Sequence, residues 1–317
     1  MHVVILERNK LVGRKVARLF MAAGATAQTV EDPGELGAAL GQADAVCADT
    51  FDGDLIAEAV RARPCLRGLL WTAEPLRRSL RFLVEAGAGE AGAAGAGRIN
   101  HVLGRRDFES PPRAWEVLMT ARRWSQPMSA PPPLSAYLDW GGHAIELEVR
   151  STTDRDVAVA QVQDLVGMLA VPRRIAEMFG ELAHELIMNA IYDAPVDAHG
   201  HPRYAADRRA HVVLEAHERA TVQMGTDGTL LVLQVRDPFG GLERRHVFDG
   251  LARGLAGEMD KSHGGAGLGM TVCHNASSAM FFDVWRGRHT EVTAMFELDQ
   301  NLREFRMQAR SLHFWSR

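Results

Sequence analysis

A chain of 317 residues with 46% hydrophobic content is long enough for two ordinary domains and can fill real cores. Its formal net charge of −4 gives no case for a nucleic-acid or anionic-membrane partner, and its longest apolar runs are far short of the ~20 residues that cross a bilayer. Three scattered cysteines (Cys47, Cys65, Cys273) make neither a metal spacing nor a paired framework, and the stretch from Met1 to Glu7 has no basic leader, so reduced thiols in a cytoplasmic protein are expected.

The first third of the chain alternates strand-like and helix-like segments. The short apolar run 3–6 predicts a strand buried on both faces, and 12–23 a helix with Val16, Leu19 and Phe20 on one side. A helix around 33–40 leads to a strand at 43–48. A helix near 55–62 leads to a strand at 66–71. A helix running through Leu83, a Gly/Ala-rich loop at 86–97, a strand at 99–103 and a helix at 112–124 follow. This alternation implies a parallel sheet covered on both sides, an α/β domain over 1–125. Three consecutive prolines, Pro131 to Pro133, exclude helix and interior strand, so 126–140 reads as a linker.

Beyond the linker, the alternating stretch 144–149 predicts a strand. Helices are expected at 156–169 and 172–192, and strands at 211–215, 229–236, 280–285 and 292–298. The pattern fits a mixed sheet with helices on one face over 141–300. The stretch 301–317, with Phe305, Leu312, Phe314 and Trp315 among basic residues, reads as a tail that packs back on the body or meets a partner.

Three segments here carry chemistry. On the second helix, Glu185 and Asn189 are four residues apart and share one face. An amide oxygen there can bind magnesium and a carboxylate can accept a proton. Asp237 ends the apolar run 230–235 and is followed by Pro238-Phe239-Gly240-Gly241. Gly264-Gly265-Ala266-Gly267-Leu268-Gly269 runs into a helix expected from Met270 to about 279, so glycines precede a helix N-terminus that can face phosphates. Each has a plainer reading on its own: a solvated helix glutamate, a turn aspartate and a flexible loop. The segment 192–209 is rich in His and Asp and reads as a polar loop, because no pair in it has ligand spacing on a defined element.

Together and in this order, the three segments resemble the GHKL (Bergerat-type) ATP-binding domain of histidine kinases, gyrase and the anti-sigma-factor serine kinases. The resemblance implies ATP and Mg2+ as cofactors. It implies Asn189 as the magnesium ligand, Glu185 as the general base and Asp237 as the acceptor for the adenine amine. Gly265, Gly267 and Gly269, with Leu268, would then form the phosphate loop, and 242–263 the lid, with Lys261 close to the phosphates. Gly241 matches the second glycine of the adenine-side motif, while Phe239 stands where the first is expected. Thr290 matches a late Gly-Thr motif, with His289 in the glycine's place. No histidine lies between His143 and His184, so the two-helix phosphoacceptor hairpin of a conventional histidine kinase is not expected, and the arrangement is closer to the anti-sigma serine kinases.

The first third resembles a response-regulator receiver, a flavodoxin-like fold. Asp49, after Asp44-Ala45-Val46-Cys47-Ala48, matches the phosphoacceptor position, and Thr72-Ala73 matches the Thr/Ser-Ala after the fourth strand. Where receivers carry an acidic pair, this chain has Glu7-Arg8-Asn9, and Gly104-Arg105-Arg106 replaces the usual lysine. The resemblance therefore implies a pseudo-receiver for protein interaction or dimerisation. Phosphorylation of Asp49 is the alternative. For the whole chain it implies a two-component-type signalling protein, an ATPase or protein kinase acting on a partner kinase, response regulator or transcription regulator, or in the alternative a non-catalytic, nucleotide-gated interaction module.

Overall fold

A computed structural model of the protein describes residues 1–84, 99–126, 128, 130–256, 266–299 and 301–317. The chain forms two compact units, Met1–Ala130 with Met307–His313, and Pro131–Arg306 with Phe314–Arg317. Both are α/β. No helix among the described residues is long and apolar enough to cross a membrane.

In the first unit, β1 (His2–Leu6), β2 (Thr26–Val30), β3 (Ala45–Asp49), β4 (Arg67–Thr72) and β5 (Ile99–Gly104) pair in parallel in the order β2-β1-β3-β4-β5. This 2-1-3-4-5 order is one of the two common doubly wound arrangements, in which sites form beyond the carboxyl ends of the strands. The helices between them are α1 (Lys10–Ala22), the short α2 (Leu36–Ala39), α3 (Gly53–Ala62), α4 (Leu76–Val84) and α5 (Ala114–Ser125). Asn9 caps α1, its side chain accepting from the amides of Leu11 and Val12, and Val12, Val16 and Phe20 form the buried stripe of that helix. The central strands are apolar throughout: Val3 to Leu6 and Ala45 to Ala48 are all 0% exposed. The reading of 86–97 as a loop lies outside the described residues.

The second unit contains β6 (His143–Val149), α6 (Thr152–Gly167), α7 (Arg173–Met188), β7 (Ala220–Thr226), β8 (Leu230–Asp237), α8 (Arg244–Ala256), α9 (Ala266–Asn275), β9 (Ala279–Trp285), β10 (His289–Glu297) and α10 (Leu302–Met307). Its strands pair antiparallel in the order β9-β10-β8-β7-β6. The final strand, β11 (Ser311–Ser316), makes the sheets mixed. In the first unit Leu312 and His313 pair antiparallel with Val102 and His101. In the second, Arg317 donates to the Val284 carbonyl and accepts from the Arg286 amide, the slanted pattern of parallel pairing. The tail residues Phe305, Leu312, Phe314 and Trp315 are all buried.

Strand alternation sorts the two faces of the second sheet. Leu231, Leu233, Val235 and Asp237 share one face of β8, and their partners Phe296, Ala294, Val292 and Thr290 share the same face of β10. Phe179 of α7 meets Phe296 edge-on at 5.8 Å, so this face lies under α7. On the opposite face Gln234 donates to Thr293 and to the Pro132 carbonyl, so the proline segment covers polar groups of the sheet.

Three expectations need correction. Residues 211–215 do not form a strand; Val213 makes only an isolated bridge to Ser151. Three strands, β2, β7 and β11, add to the expected set, the last within what reads from sequence as a tail. The helix after the glycine run starts at Ala266, not at Met270, so Gly267 and Gly269 lie in its first turns.

Candidate functional site

The first candidate site expected from the sequence is built around the end of α7. Glu185 lies in its last turn, and Asn189 follows with helical dihedrals, φ −62° and ψ −40°, so both side chains leave the same face as their spacing requires. From Asn189 to Asp193 the helix widens into a single π turn, a feature common at functional positions. Both Glu185 and Asn189 are half-buried. The π turn packs on β8, and α7 packs on α9.

The Glu185 carboxylate fills the space that a Cβ at Gly269 would need. A Cβ at that position would displace the end of the Glu185 side chain, so the glycine leaves room for the carboxylate where it now lies against the start of α9. The first-turn amides of an α-helix have no partner within the helix, so anion-binding groups stand beside the proposed base. Gly267 and Leu268 are in the same turn; Lys261 and Gly265 lie outside the described residues, as does the second part of the expected lid, 257–263. The first part of that lid is α8, which packs on α9.

Asp237 sits at the end of β8, directly opposite Thr290 of β10, and both are buried. Its Oδ1 accepts the amide of Phe239 at 2.9 Å and that of Gly240 at 3.4 Å. Burial pushes its pKa up to about 6, against the opposing pull of these amides and of Thr290. Among the described residues, both hydrogen bonds of ordinary geometry reach Oδ1, and Thr290 Oγ1 is buried without one. The turn after Asp237 is set by Gly240, which has φ +67° and stands so close to the Trp285 carbonyl that a Cβ would collide with it. Gly241 is exposed, with open space where its Cβ would be. The glycine demanded by the backbone is therefore Gly240, one position before the one the motif aligns.

Two residues of this site carried no role in the sequence reading. Arg208 donates to Asn189 Oδ1 at 3.2 Å and forms a close ion pair with Asp193. Asp193 repeats the four-residue spacing Glu185–Asn189 once more, a signal that was available; Arg208 lies 19 residues from Asn189, on an irregular segment, where no pattern pointed to it. In the His/Asp-rich stretch, Asp197 Oδ1 accepts the amides of His199 and His201, which is loop capping. No cluster of three or more His, Cys, Asp or Glu among the described residues could hold a metal. A magnesium ion here would take the Asn189 amide oxygen, which now accepts from Arg208, as its protein donor and rely on phosphate and water oxygens for the rest.

The receiver-type site lies beyond the carboxyl ends of β1, β3 and β5. It is a cavity of about 390 Å³ lined by Glu7, Arg8, Asn9, Asp49, Phe51, Asp52, Arg105 and Phe108, among others. The Arg105 guanidinium is 2.6 Å from Asp49 Oδ2 and 3.3 Å from Glu7 Oε2, with its side chain only 3% exposed. Glu7 also accepts from Trp71 Nε1 at 3.2 Å and from the Asn9 amide at 3.0 Å. Arg8 forms a two-pronged pair with Asp52, at 2.6 and 3.3 Å. Burial raises the pKa of Asp49, opposed by the Phe51 amide and by Arg105. A fixed guanidinium thus stands between the carboxylates of Glu7 and Asp49. Thr72 does not line the cavity; its hydroxyl accepts the Glu74 amide at 2.9 Å and its carbonyl the Arg105 amide at 2.8 Å.

Comparison with protein-family models and with curated proteins finds no match to this chain.

Proposed function

We propose that this is a magnesium-dependent ATP-binding signalling protein of two-component type, with a GHKL-like ATP site in 141–300 and a pseudo-receiver in 1–125. The observation that carries the reading is the approach of Glu185 to Gly269, which sets the face bearing Glu185 and Asn189 against the glycine-opened start of α9. Asp237, buried and aligned with Thr290, supports it as the adenine-side acceptor.

In this reading Asn189 Oδ1 holds Mg2+, which supplies charge neutralisation for the phosphates. Glu185 takes the proton of the attacking hydroxyl or water as the bond to the γ-phosphorus forms and the bond to the β-γ bridging oxygen breaks. Asp237 accepts from the adenine amine, and the free amides of α9 orient phosphate oxygens. The acceptor of the phosphoryl group is a partner protein or, for slow hydrolysis, water. In the pseudo-receiver Arg105 supplies the positive charge between Glu7 and Asp49 that a metal would otherwise supply.

A second reading, a nucleotide-gated interaction module without turnover, is favoured by one observation: Asn189 Oδ1 already accepts a hydrogen bond from Arg208. Phosphate release from ATP with magnesium separates the two. The catalytic reading predicts turnover that falls about 10²- to 10⁴-fold in Glu185→Gln, the usual worth of a general base. Bound ATP with no turnover above buffer, or turnover indifferent to Glu185→Gln, selects the second reading.

A further inference from the structure

A triphosphate at this site would meet a carboxylate at Glu185 and another at Asp193. Between residues 181 and 194 the sequence has no lysine or arginine. A pocket for a tetra-anion needs a cation beyond magnesium, because carboxylates and phosphates repel across a partly dry site. Among the described residues, the arginine that bonds both Asn189 and Asp193 arrives from far along the chain. Arg208 reaches Asn189 Oδ1 at 3.2 Å and pairs closely with Asp193.

The segment carrying Arg208 has no helix or strand of its own, yet it is fastened at several points. The Tyr192 hydroxyl donates to the Ala210 carbonyl at 2.6 Å. His211 Nδ1 and the Thr152 hydroxyl are 2.7 Å apart. Asp207 caps the turn by accepting the Arg209 amide at 2.9 Å. The Arg208 side chain is 17% exposed and that of Asp193 is 38% exposed. An arginine loses much side-chain entropy when held like this, so its fixed position has to be offset by what it binds.

We infer, resting on the ATP-site reading above, that Arg208 is a phosphate-binding cation of this pocket, prepositioned by Asp193 beside Asn189. Its Nη2 makes both bonds, so it can stay on Asp193 when Asn189 turns to the metal while the rest of the planar fork reaches a phosphate oxygen. A lone guanidinium held between an amide and a carboxylate becomes a three-way bridge once the nucleotide arrives. The ligand class is a nucleoside polyphosphate, and the cation adds nothing for a nucleoside without phosphates.

The test is calorimetric titration of the full chain with ATP and, separately, with adenosine, on wild type, Arg208→Gln and Arg208→Lys. Arg208→Gln is expected to lower ATP affinity roughly 10- to 100-fold, the range for losing a hydrogen bond to a charged group, and to leave adenosine affinity unchanged. Arg208→Lys keeps the charge without the fork and recovers part of the loss. The ATP-to-adenosine ratio is the readout, because partial unfolding would change both titrations together. Unchanged ATP affinity, tighter ATP binding in Arg208→Gln, or equal losses for both ligands would overturn the assignment of Arg208 while leaving the ATP site standing. Failure of the wild type to bind either ligand would overturn both.

Discussion

Asp237, the proposed adenine acceptor, shows what a buried carboxylate costs the fold. It was legible in the sequence as an aspartate at the end of an apolar strand, but its burial and its pairing with Thr290 depend on β10, more than 50 residues away, and no local pattern carries that. The raised pKa, about 6 against an ordinary 3.8, means that the folded state favours the protonated acid. The stability this group contributes is therefore present below pH 4 and lost as pH rises through 6, roughly 3 kcal/mol across the window. In the proposed function it is the ionised Asp237 that accepts from adenine, so binding would run the other way. ATP affinity should weaken about tenfold between pH 7 and pH 5, and Asp237→Asn should bind adenosine at least tenfold more weakly while melting higher at pH 8. A variant that melts lower at pH 8, or binds equally well, would count against this role.

The elements divide by how local their causes are. The buried strands β1, β3, β4, β8, β9 and β10 announce themselves as apolar runs, and the amphipathic helices α1, α3 and α7 as stripes. β2 was missed because Thr26-Ala27-Gln28-Thr29-Val30 is an edge strand with a largely exposed, polar sequence. β7 was missed although Val222 and Met224 alternate with less buried residues, since a glycine and flanking charges hide the period. Residues 211–215 have strand composition without a strand to pair with. The start of α9 went the other way: glycine propensity argues for a loop, and packing against α7 overrides it.

Arg105 acts at the same scale, because it ties the ends of β1, β3 and β5 through Glu7 and Asp49. Removing it leaves two buried carboxylates without their cation, and breaking a buried pair of this kind costs about 3–5 kcal/mol. Asp49 already has a raised pKa in the folded state, and Arg105 is among the groups that hold it down. Without Arg105 the penalty for ionised Asp49 grows at neutral pH and fades as pH falls and the acid protonates. Chemical denaturation of Arg105→Ala should show a loss of this size at pH 7 that shrinks toward pH 4, with Asp49→Asn in the same chain restoring part of it. A loss that does not depend on pH or on Asp49 would mean that Arg105 matters only for packing.

At the scale of the whole molecule, two α/β units carry sites of opposite character. One has a cavity whose acids are already matched by an internal arginine. The other brings an amide, a carboxylate and a glycine-containing helix start together, where the proposed function puts the phosphates. The division near the triple proline was readable from composition, since Ala130 and Pro131 separate the units inside the expected linker. The return of 307–313 to the first unit was not, because nothing local tells a short apolar tail which sheet it will join.

The central claim is that the second unit binds ATP through Asn189 and magnesium. Calorimetry of ATP binding to the full chain, with and without magnesium, on wild type and Asn189→Ala, addresses it most directly. The account predicts binding that magnesium strengthens, with that gain lost in Asn189→Ala. Binding that ignores both magnesium and Asn189, or no binding by the wild type, would contradict it.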